Sequence, residues 1–171
     1  MLLFIAGNTI AAILPSLLGE VTKFSENSIT ALLFVYGAFV ALGNMVGGRL
    51  ANRDTVRVLI KLFALLAVVL CSLYFLSPYK APTILALAGM GFFAFSVVPG
   101  MQLYVVQLAE KHLPGTEDVS SSLNIAAFNV GIAMGSYVGL VWGVRHIALL
   151  GTVFVIMAFL FGIISWRKEK S

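Results

Sequence analysis

The sequence predicts an all-α integral membrane protein of six transmembrane helices, arranged as two inverted sets of three. Three observations predict it. Hydrophobic residues make up 60% of the chain and charged residues 11%, with a mean hydropathy of +1.02, whereas soluble domains carry charge on about a quarter of their residues. The apolar residues fall into six stretches close to the roughly 20 residues that a bilayer-spanning helix needs. The charges fall between those stretches or at their ends.

The first span runs from Met1 to Leu18. It opens on Met1, Leu2, Leu3 and Phe4, without the basic leader or the small-residue cleavage site of a signal peptide. The expectation is that Met1 lies inside a span whose beginning is missing, so that the chain is the tail of something longer. Gly19 to Glu26 then forms a short outer loop. Ser25 is placed to cap the next helix, with Ser28 at the capping-box distance.

The second span, Asn27 to Leu50, carries Gly43 and Gly47 one helical turn apart. Small residues at this spacing let two helices approach closely in lipid. The turn that follows, Gly47 to Arg57, is led by glycines and strongly basic, with Arg49, Arg53 and Arg57, and Lys61 lies just beyond.

Val56 to Ser77 is the third span. The single cysteine, Cys71, lies inside it, so no internal disulfide can form and the thiol reads as a small packing residue. Ser77 to Pro82 is a tight outer turn whose two prolines stop one helix and start another. The fourth span, Pro82 to Ala109, is interrupted by Pro99-Gly100, where a proline removes a helical donor and favours a kink.

Glu110 to Asp118 holds the Pro114-Gly115 turn signal. Thr116 is placed to cap the fifth helix, and Glu117 and Asp118 fall in its first turn, where the helix dipole favours carboxylates. The fifth span, Val119 to Val144, carries Gly131, Gly135, Gly139 and Gly143 in one stripe, a second close-packing face. His146 to Trp166 is the sixth span. Trp142 and Trp166 suit the aromatic belts of the two interfaces. His112 and His146 sit at helix ends with no cysteine or carboxylate at metal-ligand spacing, so neither a metal nor another cofactor is expected.

Counted by alternate connections, one side of the membrane holds Arg49, Arg53, Arg57, Lys61, Lys111, Arg167, Lys168 and Lys170, and the other holds Lys23, Lys80 and Arg145. The positive-inside rule places the basic side, with both termini, in the cytoplasm. The formal charge of +4 therefore reflects topology rather than affinity for nucleic acid. Three helices are an odd number, so the second triplet enters from the opposite face, and Pro15 and Pro99 fall at corresponding places after inversion. That is inverted-repeat topology.

Gly48-Arg49-Leu50-Ala51-Asn52-Arg53 resembles the cytoplasmic signature loop of the major facilitator superfamily. It is a degenerate copy, with Asn52 in place of the acid, Asp54 two residues later and no following glycine, which suits the loop between the eighth and ninth helices. Ser121 to Gly135 is similar to the eleventh helix of bacterial drug and sugar efflux permeases of the arabinose-efflux type, and Glu20 to Ser25 resembles the outer loop after their seventh helix. The resemblance covers essentially the whole chain. It implies the C-terminal half of a twelve-helix major facilitator fold, helices seven to twelve, with the N-terminal bundle absent, in a bacterial inner membrane.

The implied function is efflux of a small organic solute, such as a drug or sugar, by alternating access, with antiport as the expected coupling. No Asp, Glu, Lys or Arg falls deep inside the six spans, so coupling chemistry is expected outside these residues. In the family the first and fourth helices of this half line the central cavity, where they supply Asn8, Thr9, Phe92, Phe95, Ser96 and Gln102. The fifth span adds Asn124 and Asn129. These amides and hydroxyls suit a polar solute, or else bond neighbouring helices. Gly48, Arg49, Asn52, Arg53, Asp54 and Arg57 form the candidate cytoplasmic gate, a latch that engages carboxylates or helix C-termini.

The expected partners are the substrate, the bilayer, and either the missing six-helix half or a second copy of the chain in a half-size homodimeric transporter. An integral membrane enzyme is the rival of another class. It needs a nucleophile with a base, or clustered carboxylates, and no span has a histidine within helical contact of a serine.

Overall fold

The computed structural model of the protein describes residues 23, 25–76, 79–142 and 144–170. Among them five helices follow one another: α1 (Glu26–Ala51), α2 (Thr55–Leu76), α3 (Lys80–His112), α4 (Glu117–Trp142) and α5 (Val144–Lys170). The first expected span, residues 1–18, lies outside the described residues. By length and composition Asn27–Ala51, α2 and α3 are apolar enough to cross a membrane, and the described part of α5 carries the apolar stretch Gly151–Arg167.

The helices run alternately up and down. α1 and α3 lie parallel, since Gly43 meets Phe92, Gly47 meets Ser96 and Gly48 meets Pro99 in rising order. α2 is antiparallel to α5, with Ile60 against Gly162 and Arg57 against Trp166. Space therefore pairs the elements differently from the chain: α1 packs chiefly on α3 and α2 on α3 and α5, while α1 barely touches α2. α3 also carries α4. It is the central helix, and its 33 residues give it a length of about 50 Å.

The core follows from spacing. On α2 the buried residues Leu59, Leu62, Phe63, Leu66, Leu70 and Leu73 recur at three- and four-residue intervals, which puts them in one stripe. Ala86, Leu87, Met90, Ala94 and Val97 form the matching stripe of α3, and Val155 of α5 closes the cluster. In lipid this packing acts through shape and dispersion, because the surrounding acyl chains are as apolar as leucine.

Helix ends differ from expectation in instructive ways. α3 begins at Lys80 and runs to His112, beyond the apolar span 82–109, because a helix continues into water where a hydropathy count stops. It also passes through Pro99 without a break. α5 starts at Val144, two residues before the expected sixth span, so Arg145 and His146 lie in its first turn. Ser25 occupies the N-cap of α1 but makes no side-chain cap, and its hydroxyl bonds that of Ser28 at 2.8 Å. Thr116, placed to cap α4, instead donates its hydroxyl backward to the Leu113 carbonyl at 2.7 Å.

Candidate functional site

α3 carries polar residues that join helices, and besides Thr83, whose hydroxyl donates to the Leu76 carbonyl of α2 at 2.8 Å, they fall within two or three turns. Ser96 is fully buried. Its hydroxyl reaches the Gly43 carbonyl of α1 at 2.9 Å and the Phe92 carbonyl one turn back at 2.7 Å. A Cβ on Gly43 would overlap the Phe92 carbonyl, and one on Gly47 would overlap that of Ser96. Two glycines one turn apart on α1 thus meet a pair one turn apart on α3, backbone against backbone. Ser96, expected to line a pathway, belongs to this sealed seam, since its only hydroxyl proton is committed within it.

Gln102 and Asn124, two candidates on different spans, are brought together. Asn124 donates its side-chain amide to the Gln102 Oε1 at 2.6 Å, and the Gln102 amide donates in turn to the Ser121 hydroxyl. All three side chains are partly exposed. Ser121 precedes Asn124 by three residues, a helical spacing that places both on one face. By helical rise the cluster lies about 15 Å from the His112 end of α3 and about 10 Å from the start of α4. It is a polar bridge set between two mainly apolar helices.

The remaining candidates separate. Phe92 and Phe95 are half-buried, and Phe92 makes an edge-to-face contact with Phe93, the ring centroids 5.2 Å apart. Asn129 is exposed, away from the Gln102 bridge by more than a turn. Asn8 and Thr9 lie outside the described residues. Of the glycine stripe on α4, Gly131 is buried; Gly143 lies outside the described residues, as do the surroundings of Gly135 and Gly139.

Two tyrosines escaped the sequence reading. Tyr104 of α3 bonds Ser165 of α5, hydroxyl to hydroxyl, which ties a fourth neighbour to α3. The Tyr36 hydroxyl of α1 is buried without a hydrogen-bond partner among the described residues. Its ring fills the space that Gly91 leaves, beside an apolar cavity of about 10 Å³ lined by Leu32, Val35, Ile84, Leu87 and Ala88. Neither tyrosine sits in a periodic polar pattern that would have marked it.

The basic turn is compact. α1 ends at Ala51, with Asn52 as its C-cap, and Arg53 donates its backbone N–H to Leu50 at 3.1 Å. Asp54 then caps α2: its Oδ1 accepts the Arg57 backbone N–H at 3.1 Å, and its Oδ2 lies 3.0 Å from the Arg57 Nε. The acid displaced by two residues from the signature position has a structural role as a cap and as the counter-ion of Arg57. Thr55 locks the turn from within, its buried hydroxyl donating to the Ala51 carbonyl at 2.9 Å. The Arg57 guanidinium lies 5.8 Å from the Trp166 ring centre of α5, so the turn already touches the C-terminal end of another helix. Arg49 and Arg53 are exposed.

The model of the Major Facilitator Superfamily matches residues 1–171, the whole chain. An uncharacterized MFS-type transporter of Bacillus subtilis (strain 168), YtbD, is 45% identical over 149 residues, covering 85% of this chain and 38% of that protein. The inner membrane transport protein YdhP of Escherichia coli O157:H7 is 31% identical over 166 residues, covering 94% of this chain and 42% of that protein. The chain thus spans about two fifths of the length of these relatives. No solved structure matches it.

Proposed function

This chain belongs to the Major Facilitator Superfamily, and on that premise we propose that it is half of a secondary transporter, exporting a small organic solute such as a drug or sugar. The family is one of multi-pass membrane transporters, and it points to transport rather than catalysis. In this reading a helix formed by the first apolar stretch completes a six-helix bundle of two inverted triplets. A second six-helix bundle faces it across the substrate path. Alternating access is a rocking of one bundle against the other around a site between them. The basic end of the bundle faces the cytoplasm, in a bacterial inner membrane, and both termini lie there.

The single observation that carries this reading is the Gln102, Ser121 and Asn124 bridge. An amide network costs desolvation wherever it meets lipid, so its place is toward other helices or a wet path. Its side chains offer donors and acceptors to a solute hydroxyl or amide. Asn129, Phe92 and Phe95 extend the candidate path, and Asn8 and Thr9 belong to it from the first span.

The test is complementation in proteoliposomes. The chain is co-expressed with the N-terminal half of YtbD, and efflux of ethidium and of labelled arabinose is followed from preloaded vesicles. Saturable efflux of either probe that needs both halves is the expected result. Saturable efflux by the chain alone would replace the two-half carrier with a homodimer.

A further inference from the structure

We propose that the groove between the first turns of α2 and the last turns of α5 binds the phosphate of an anionic phospholipid head group. The groove has a volume of about 560 Å³ and is lined by Arg57, Ile60, Lys61, Ile163, Trp166 and Arg167. That volume lies inside the range of ligand pockets, about 300–1,000 Å³. Three cations from two helices converge on it, and its floor is apolar.

The site is built rather than incidental. Arg57 is held between the Asp54 carboxylate, 3.0 Å away, and the Trp166 ring, 5.8 Å away, which fixes its guanidinium at the groove's edge. Among the described residues three cations and no carboxylate line the groove, and with Asp54 offsetting Arg57 the lining keeps an excess of positive charge. Gly162 brings the helices together below it: a Cβ there would lie 3.2 Å from Ile60, closer than ordinary contact. Ile60 and Ile163 therefore form a continuous wall beneath the cations.

Position selects the ligand. Arg57 is in the first turn of α2 and Arg167 near the end of α5, so the cations sit where two membrane-embedded helices leave the hydrocarbon. Tryptophan favours that depth. A lipid phosphate meets Lys61 and Arg167 there while its glycerol and first acyl carbons lie on the isoleucines. A soluble anion gains nothing from the apolar wall. Basic pockets between helices on the cytoplasmic side are suited to such head groups. The groove is formed by α2 and α5 alone and holds whether or not the chain completes a carrier.

The full chain, with Trp142→Phe so that Trp166 is the sole indole, is placed in phosphatidylcholine vesicles. These contain an equal mole fraction of acyl-brominated phosphatidylglycerol or acyl-brominated phosphatidylcholine. Bromine quenches a nearby indole, so the ratio of the two quenching curves reads the lipid preference at the groove. Phosphatidylglycerol is expected to quench the more strongly. Lys61→Gln and Arg167→Gln are each expected to lower that preference about fivefold, as about 1 kcal/mol per basic residue requires, while Lys61→Arg and Arg167→Lys keep it. Equal quenching by the two lipids overturns the proposal, as does a preference that survives both Gln substitutions. Loss of the preference in millimolar inorganic phosphate at constant ionic strength would show a free-anion site and also overturns it. The comparison in the chain that keeps Lys61 and Arg167 decides even where a Gln variant fails to insert.

Discussion

The Ser96 hydroxyl lies 2.9 Å from the carbonyl oxygen of Gly43, so one side chain of α3 bonds α1 at the point where glycine has removed the Cβ between them. The close approach and the hydrogen bond depend on each other. Without Gly43 the backbones stand too far apart for so short a side chain, and without Ser96 the seam is held by shape alone.

Substituting the seam glycines separates packing from propensity. Alanine in a helix is favoured over glycine by up to about 1 kcal/mol, yet at Gly43 or Gly47 its Cβ falls on a neighbouring carbonyl. Gly43→Ala and Gly47→Ala should each destabilise the chain by about 1–3 kcal/mol, the usual cost of overpacking. Gly37→Ala, at a position with nothing within 4 Å, should be neutral or slightly stabilising. Thermal unfolding in detergent checks both, and a seam variant as stable as Gly37→Ala would contradict the backbone contact.

Two buried hydroxyls should respond in opposite directions. Ser96→Ala removes an interhelical bond and should cost about 0.6–2 kcal/mol. Tyr36→Phe removes a buried hydroxyl with no partner among the described residues and should gain up to about 1 kcal/mol. Unfolding midpoints measured side by side decide it; a loss of stability in Tyr36→Phe would mean that the phenol is bonded.

The amide bridge makes a joint prediction for stability and transport. A double-mutant cycle of Gln102→Ala and Asn124→Ala should give a coupling of about 0.6–1.7 kcal/mol, the range for interhelical hydrogen bonds in membranes. In the two-half carrier each substitution should reduce efflux at least tenfold in protein that still inserts, a loss of about 1.4 kcal/mol of transition-state stabilisation. Independent effects on stability would break the bridge, and unchanged efflux would remove it from the pathway.

The loop before α4 should respond to acid. The Gly115 N–H donates to the Glu117 Oε1 at 2.9 Å, and this bond holds the Glu117 carboxyl below its usual pKa of 4.5. Because the folded value is the lower one, the stabilisation is fully present above about 4.5 and fades as pH falls through the folded value. Hydrogen exchange at the Gly115 amide should quicken, beyond its intrinsic pH dependence, as the pH is lowered below 4.5. In Glu117→Gln that component should be absent. Gly115 itself has φ +90, where a side chain is strained, so Gly115→Ala should cost about 1 kcal/mol.

The arginine turn tests gating. Replacing Arg49, Arg53 and Arg57 with Gln in the two-half carrier should shift the balance of inward- and outward-open forms, read by distance measurements between spin labels on the two bundles. If the populations and efflux rates stay the same, the turn is a cap and not a latch.

Much of this architecture is written in composition. Where apolar length alone decides, as in α1 and α2, the expected spans 27–50 and 56–77 lie within a residue of the helices. Polar ends were less legible: Lys80 and Glu110 to His112 extend α3 into water, where hydropathy falls but helical hydrogen bonding does not. The glycine pair at 43 and 47 was readable as a contact face because a spacing of four is a property of the helix itself. Its partners, Phe92 and Ser96, were not, because partner choice depends on which helices become neighbours. For the same reason Ser96 read as a pathway residue, and Tyr104 and Ser165 did not read as a pair. The meeting of Gln102 with Asn124 requires α3 and α4 to cross at one height, which no local pattern encodes.

The α1–α3 seam also bears on the order of synthesis. Gly43 and Ser96 are 53 residues apart, and at about 5–20 residues per second of translation the glycine face of α1 emerges roughly 3 to 11 seconds before its partner. α2 arrives first but packs elsewhere. During that interval α1 must be held, by lipid or by the insertion machinery, with its binding face unmatched, and the bundle closes only when α3 slides in beside it.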